Sequence, residues 1–164
     1  MKEVVAKAVL RRGAKKRFYN HIPAEIAKRY ISENVWSEYF KFCIERNPFD
    51  RCVSSYYWRH RKEPRPPFVK HVNLYSHKLK SGGYYLYTID DQVIVDKICL
   101  FENLSEDLEA VKETIGLPES LELPRAKSKY RKNKAHYRDI IDSESKAKIA
   151  SIFSEEFRLL GYQW

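Results

Sequence analysis

Apolar residues recur at every second position along residues 39–45 of the chain. Phe40, Phe42 and Ile44 would lie on one side of an extended backbone, and the residues between them would lie on the other side. This two-residue period is typical of a β-strand. The pattern therefore predicts a buried strand that ends just before Arg46.

A helix start signal follows this strand at Asn47 and Pro48. Asparagine is a favoured N-cap, and proline suits the first helical position because its missing N–H would be unpaired there anyway. Asp50 suits the positive end of the helix dipole. These residues predict a helix over residues 48–60, with Arg46 at the tip of the turn before it. A cation between a strand end and a helix N-terminus is suited to binding an anion.

Three later segments are also periodic or apolar. Residues 92–101, QVIVDKICLF, predict a second strand, and residues 104–115 have apolar positions at helical spacing followed by Gly116. A last helix is predicted from a cap at Asp142 or Ser143 to a stop at Gly161, with the apolar positions Ile149, Ile152, Phe153, Phe157 and Leu160.

The order of these elements predicts an α/β fold with a mainly parallel sheet flanked by helices. The 164 residues suit one domain spanning residues 1–164, with residues 1–20 as a basic and loosely packed segment. The chain has 12 Tyr, 8 Phe and 3 Trp, which favours a folded protein over a disordered one.

Cysteine usage and hydropathy exclude several classes of protein. The 3 cysteines are an odd number without CxxC spacing, which argues against a disulfide framework and against a zinc site. Cys43 and Cys99 lie in apolar segments and are interpreted as small core residues. Because no apolar run reaches membrane-spanning length and no signal region begins the chain, we expect a cytoplasmic protein that does not contact a membrane.

The net charge of +9 is unevenly distributed. Residues 1–31 and residues 125–138 are strongly basic, whereas residues 102–122 are mainly acidic. Basic patches attract polyanions, which include nucleotides, sulfated or acidic glycans and nucleic acid. Charge alone does not choose among these partners.

The segment RNPFDRCVSSYY, which begins at Arg46, resembles the 3′-phosphate-binding motif of carbohydrate-type sulfotransferases (sulfotransferase family 2-like). These enzymes transfer a sulfuryl group from 3′-phosphoadenosine 5′-phosphosulfate (PAPS) to a hydroxyl group. The similarity extends over residues 21–164 and includes WSEYFKF, VDKICLFENL and FRLLGYQW. The resemblance implies a P-loop-NTPase-like sulfotransferase fold, a hydroxyl acceptor of the carbohydrate class and a reaction that uses PAPS without a metal.

The resemblance also implies roles for individual residues. Arg46 and Ser54 match the arginine and serine that hold the 3′-phosphate. His21 matches a histidine near the acceptor hydroxyl and is the candidate general base, since imidazole titrates near neutral pH. A late basic loop that closes over the nucleotide matches Ser128, Lys129 and Arg131. The alternatives are a surface arginine, a capping histidine and a solvated basic loop.

One part of the sulfotransferase pattern is missing. These enzymes open with a strand and a loop of the form P-K-x-G-T-[ST], which surrounds the 5′-phosphosulfate. The segment GAKK at residues 13–16 has neither the apolar strand before it nor the hydroxyl residue after it. The fold is therefore expected to be N-terminally truncated. This leaves two alternatives to an active sulfotransferase, which are a homologue that only binds the 3′-phosphonucleotide and a basic nucleic-acid-binding module.

Two further interpretations stay open at this stage. Residues 68–88, which interleave tyrosines with histidines and lysines, are expected to form the acceptor side or to be ordinary packing. Glu102 follows the second predicted strand and is a candidate active-site acid or a structural residue.

Overall fold

The computed structural model describes residues 18–118 and 135–164. The chain is α/β in these ranges, as the sequence predicts. The elements in chain order are α1 Ala24–Lys28, α2 Glu33–Glu38, β1 Phe42–Glu45, α3 Pro48–Arg59, α4 Phe68–Lys80, β2 Thr88–Ile89, β3 Gln92–Val93, β4 Lys97–Leu100, α5 Leu104–Ile115, α6 Tyr137–Ile140, α7 Ser143–Ile152 and α8 Ser154–Leu160.

The parallel sheet is small within the described residues. β1 and β4 pair in parallel, with Phe42 beside Lys97 and Glu45 beside Leu100. A parallel pair needs a long crossover, and α3 and α4 lie in the chain between these two strands. Both strands end at the same edge, so the turn after β1 and the turn after β4 are neighbours.

The prediction of one strand over residues 92–101 is wrong. β3 pairs with β2 in a separate antiparallel sheet, whereas β4 pairs with β1. The backbone changes partner between them, because Ile94 N donates to Tyr87 O at 3.0 Å and Asp96 N donates to Lys41 O at 2.7 Å. The Asp96 carboxylate also accepts from Lys41 N at 2.6 Å, which fixes the start of the parallel pair.

The prediction that β1 is a buried strand is also wrong, because its apolar side chains, Phe42 and Ile44, are exposed. Phe42 is 42% exposed and Ile44 is 50% exposed, whereas Glu45 is only 3% exposed. β1 pairs with β4 along one edge, and no other described strand pairs with it. The side chain of Glu45 is buried because a cation from α3, Arg51, pairs with it.

α3 supplies much of the described core. Phe49, Cys52, Val53, Tyr56 and Tyr57 are all buried on this helix. Its start is confirmed, since Asn47 Oδ1 accepts from Phe49 N at 2.9 Å and Pro48 occupies the first helical turn. The helix ends at Arg59, one residue before the predicted end.

The helix stops at two glycines are confirmed, but the last predicted helix is divided. Gly116 and Gly161 end α5 and α8 in the left-handed conformation, each with φ 69°. The cap at Asp142 is confirmed by a 2.8 Å hydrogen bond from Ser145 N. Phe153 leaves the helical conformation at φ −105° and ψ 25°, which separates α7 from α8 and leaves its own ring fully buried.

The three cysteines are free thiols of different exposure. Cys52 and Cys99 are buried, as expected for Cys99, whereas Cys43 is only half-buried, so its interpretation as a core residue is wrong. Burial raises the pKa of the Cys43 thiol to about 12. Among the described helices, none is both long and apolar enough to cross a bilayer.

Candidate functional site

The Arg46 side chain lies against the first turn of α3. Its Nε donates to Asp50 Oδ2 at 2.6 Å, and its Nη2 also bonds this oxygen. The guanidinium carbon lies 4.2 Å from the centre of the Phe101 ring. The side chain is 25% exposed, so the guanidinium is held between a carboxylate and an aromatic face rather than extended into solvent.

Glu102 fixes the turn that carries Arg46. Its Oε1 accepts from Asn47 N at 2.9 Å, and its Oε2 accepts from Tyr162 OH at 2.6 Å. Burial, together with this hydrogen bond, raises the pKa of Tyr162. Both oxygens of Glu102 are thus engaged in joining the end of β1, the turn after β4 and the C-terminal segment. This arrangement favours the structural interpretation of Glu102 over an active-site acid.

Arg46, Asp50 and Ser54 follow each other at four-residue spacing. Residues four apart on a helix lie on one face, so Ser54 is one turn beyond the carboxylate that Arg46 contacts. Ser54 is half-buried on α3, and its hydroxyl has no hydrogen-bond partner among the described residues. Arg46 Nη1 also forms no hydrogen bond with a described residue. The face therefore offers an unused N–H group and an unused hydroxyl.

Asp50 is a site residue whose contact the sequence analysis missed. The acid was assigned only to the helix dipole, whereas its carboxylate is the main partner of Arg46. The four-residue spacing between an arginine and an acid was the available signal. An anion that binds Arg46 has to compete with this carboxylate.

Of the other predicted site residues, only His21 lies within the described ranges, and it is not brought to Arg46. His21 is exposed in the turn before α1 with φ 59°, and no described residue hydrogen-bonds to its ring. No contact joins it to Arg46 or Ser54 within the described ranges. The basic-loop residues Ser128, Lys129 and Arg131 lie outside the described residues.

A buried charge cluster lies behind this site. Arg51 Nη1 bonds Glu45 Oε2 at 2.8 Å, and Arg51 Nη2 bonds Glu156 Oε1 at 3.3 Å. The side chains of the two acids are 4% and 0% exposed. Burial raises the pKa of Glu45, and the nearby Arg51 opposes this shift. The cluster was not predicted from the sequence because Glu156 lies 105 residues from Arg51 in the chain.

A pair of histidines packs between the C-terminal half of α3 and α4. His60 Nε2 and His71 Nδ1 are 3.2 Å apart, and His71 is fully buried. Burial lowers the pKa of His71 to about 4, with smaller contributions from His60 and Arg59. Both rings are therefore neutral near pH 7, because burial also lowers the pKa of His60.

Acidification is expected to destabilise the protein through His71. Its unfolded pKa is the ordinary 6.5 and its folded pKa is about 4, so the unfolded chain takes up a proton first as the pH falls. The contribution of His71 to the free energy of unfolding is fully present above pH 6.5. It decreases as the pH falls from 6.5 to about 4. From neutral pH to about pH 5 the loss due to this group is about 2 kcal/mol.

Urea unfolding of the wild type and of His71→Gln at both pH values measures this loss. Glutamine cannot be protonated, so the variant should lose about 2 kcal/mol less than the wild type on acidification. An equal loss in both proteins would show that other groups cause the acid sensitivity.

The comparisons with known proteins identify a relative but no named family. A protein of Archaeoglobus fulgidus described as uncharacterized is 35% identical to this chain over 112 residues, which cover 62% of this chain and 88% of that protein. No family model matches the chain, and no solved structure matches it significantly. Similarity over most of the archaeal protein indicates common descent. The chain therefore belongs to the same family as this uncharacterized A. fulgidus protein.

Proposed function

We propose that the chain is a cytoplasmic sulfotransferase that binds PAPS and transfers its sulfuryl group to a hydroxyl of a carbohydrate-type acceptor. The observation that supports this proposal most is the position of Arg46. Its guanidinium lies where a parallel strand ends and a capped helix begins, with the Ser54 hydroxyl on the same helix face. A cation, a hydroxyl and a helix N-terminus together suit a phosphate group.

Asp50 has a definite part in this proposal. Without nucleotide, its carboxylate holds the Arg46 guanidinium in one orientation, and the Phe101 ring supports the guanidinium plane. The 3′-phosphate carries more negative charge than a carboxylate and bonds the unused Nη1 group of Arg46. The Ser54 hydroxyl donates to a second phosphate oxygen. The arginine is thus preorganised, which reduces the entropy that it loses on binding.

The transfer step follows from the same positioning. The acceptor hydroxyl attacks sulfur in line with the leaving phosphate, and its proton passes to a general base, for which His21 is the candidate. By analogy with phosphoryl transfer, most of the rate comes from positioning and from cations that face the spreading negative charge. Ser128, Lys129 and Arg131 are the candidates for the loop that closes over the nucleotide. No step requires a metal.

Replacing Arg46 with alanine is expected to weaken binding of adenosine 3′,5′-bisphosphate by about 10- to 150-fold. The reason is the loss of a charge-assisted contact, which contributes roughly 1.5–3 kcal/mol. Isothermal titration calorimetry measures the change. The matched control is Arg29→Ala, because Arg29 is also paired with an acid four residues away but lies exposed on the surface. Unchanged affinity in Arg46→Ala would contradict the assignment.

A sulfate-transfer assay separates the enzyme from a homologue that only binds the nucleotide. The wild type is incubated with PAPS and a generic glycan acceptor, and the Arg46→Ala variant serves as the comparison. Turnover that depends on Arg46 supports the proposed enzyme. Nucleotide binding without turnover would support the binding-only alternative.

A further inference from the structure

A groove of about 650 Å³ lies at the opposite end of α3 from Arg46. Its volume is within the range of small-molecule sites. α3 has 12 residues, so at 1.5 Å per residue its two ends are about 18 Å apart. This groove is therefore separate from the Arg46 site. Its lining includes Trp58, Arg59, His60, Arg61, Lys62 and Tyr75.

Cations and aromatic rings alternate along this groove. The Arg59 guanidinium lies 4.3 Å from the centre of the Tyr75 ring, and the Arg61 guanidinium lies 4.0 Å from the centre of the Trp58 ring. Arg61 Nε also donates to Trp58 O at 3.1 Å. Stacking of this kind orients the guanidinium plane, so the N–H groups at its edge are preorganised for a bidentate anion such as phosphate.

The charged residues that line the groove are all cations. None of the lining residues is acidic. The carboxylate of the adjacent Glu63 is paired with Arg65, outside the lining. Among the described residues, Arg59 and Lys62 form no salt bridge. Arg59, Arg61 and Lys62 are exposed, so their like charges lie together at the surface and are accessible to an anion from solution.

The dipole of α3 explains the position of only one of the three groove cations, Arg59, Arg61 and Lys62. A cation in the last turn of a helix interacts favourably with the dipole, and this explains Arg59. Arg61 and Lys62 lie beyond the C-cap, His60, where the dipole no longer extends. They follow the helix into the proline-containing loop, which keeps them beside the rings.

We propose that this groove binds the base-and-phosphate unit of a nucleotide. The phosphate bonds Arg59 and Lys62, and the base stacks beside Trp58, a residue that is 36% exposed. The free nucleotide and the single strand of a nucleic acid present the same unit. The neutral His60 ring forms part of the groove wall, held there by its contact with His71.

The test uses the full chain in an Arg46→Ala background, so that no ligand is bound by Arg46. Calorimetric titrations with thymidine 5′-monophosphate, a short oligothymidylate and inorganic phosphate compare this protein with one that also carries Arg59→Gln and Lys62→Gln. We expect at least about 10-fold weaker binding of both nucleotide ligands after the two glutamine substitutions, since two charge-assisted contacts are lost. The matched control carries Lys70→Gln and Lys78→Gln, which remove two exposed charges from α4.

A second readout places the ligand in the groove. Stacking of the base is expected to quench the fluorescence of Trp58, and Trp58→Phe should abolish the quench although phosphate binding persists. Tighter binding of oligothymidylate than of the monophosphate identifies a single strand as the source, and equal binding identifies the free nucleotide. The proposal is overturned if neither ligand binds, if the control pair weakens binding equally, or if inorganic phosphate binds as tightly as the nucleotides.

The two proposals fail separately. Adenosine 3′,5′-bisphosphate binding at Arg46 should be unchanged by Arg59→Gln and Lys62→Gln in an otherwise wild-type chain. Loss of that binding on substitution in the groove would show that one site, not two, binds nucleotides, and would overturn the groove as a separate site.

Discussion

Replacing Arg51 with alanine is expected to lower the free energy of unfolding by about 3–5 kcal/mol. Arg51 is the cation between two buried carboxylates, Glu45 and Glu156. Removing it leaves both carboxylates in the interior without a cation, and Glu156 Oε2 already has no hydrogen-bond partner among the described residues. The cost is therefore the burial of unpaired charge and not merely the loss of contacts.

The packing around Arg51 leaves little room for adjustment. A Cβ atom added at Gly83 would lie 2.5 Å from Arg51 Nη1, so the backbone of Gly83 is in direct contact with the guanidinium. Arg51 also lies 5.0 Å from the centre of the buried Phe153 ring. Alanine at position 51 would leave these surfaces facing a cavity, which adds to the electrostatic cost.

Denaturant unfolding at two pH values measures this effect and its cause. In Arg51→Ala the burial that raises the pKa of Glu45 is no longer opposed by a cation, so the folded state takes up a proton more readily than the unfolded state. The deficit should therefore shrink as the pH falls. The triple variant Glu45→Gln, Arg51→Met, Glu156→Gln removes all three charges and should recover much of the loss.

Arg158→Ala is the matched control for this prediction. Arg158 is paired with Glu155 on α8, but its side chain is 72% exposed. An exposed pair of this kind contributes little to stability, because solvent screens its charges. If Arg51→Ala cost no more than Arg158→Ala, the buried cluster would not stabilise the fold.

The elements that the sequence predicted well depend on local chemistry. The N-cap at Asn47, the proline after it and the glycine stop at Gly116 each act within a few residues. Their geometry is the same in many folds, so the residue types alone predict it. The start of α3 and the end of α5 were therefore correct to the residue.

The face of β1 that is buried could not be predicted in this way. Alternation shows that a strand has two sides, but not which side the rest of the chain covers. Here the polar side is buried, because Glu45 pairs with Arg51, which also contacts Glu156. Sequence periodicity carries no information on a contact between residues 51 and 156. The break between β3 and β4 similarly depends on hydrogen bonds to the distant Lys41.

The parts of the candidate site that are close together in the chain were predictable from the sequence, and the contact with a distant segment was not. Arg46 and Ser54 were found because both belong to one short motif on α3 and the turn before it. The contact with Asp50 followed from helical spacing but was not used. The stacking on Phe101 depends on the parallel pairing of β1 with β4, which brings two distant turns to one sheet edge. No local pattern encodes that neighbour.

Phe49→Ala is expected to cost about 3–5 kcal/mol of unfolding free energy, since a buried ring is replaced by a methyl group. Phe49 is 2% exposed and contacts three other rings, so the surrounding structure cannot easily close the cavity. Its ring centre lies 5.6 Å from that of Tyr137, 4.9 Å from that of Phe157 and 4.8 Å from that of Trp164. Urea unfolding measures the loss.

The controls separate packing from the charge on Arg46. Tyr39→Ala removes a ring that is 47% exposed and should change the stability by only about 0.5 kcal/mol. Phe49→Leu keeps most of the apolar volume and should cost clearly less than Phe49→Ala. Because Phe49 N is the group that Asn47 caps, loosening the ring also loosens the turn that carries Arg46. Phe49→Ala should therefore weaken nucleotide binding less than Arg46→Ala while destabilising the fold more, and the reverse order would show that Arg46 acts mainly through packing.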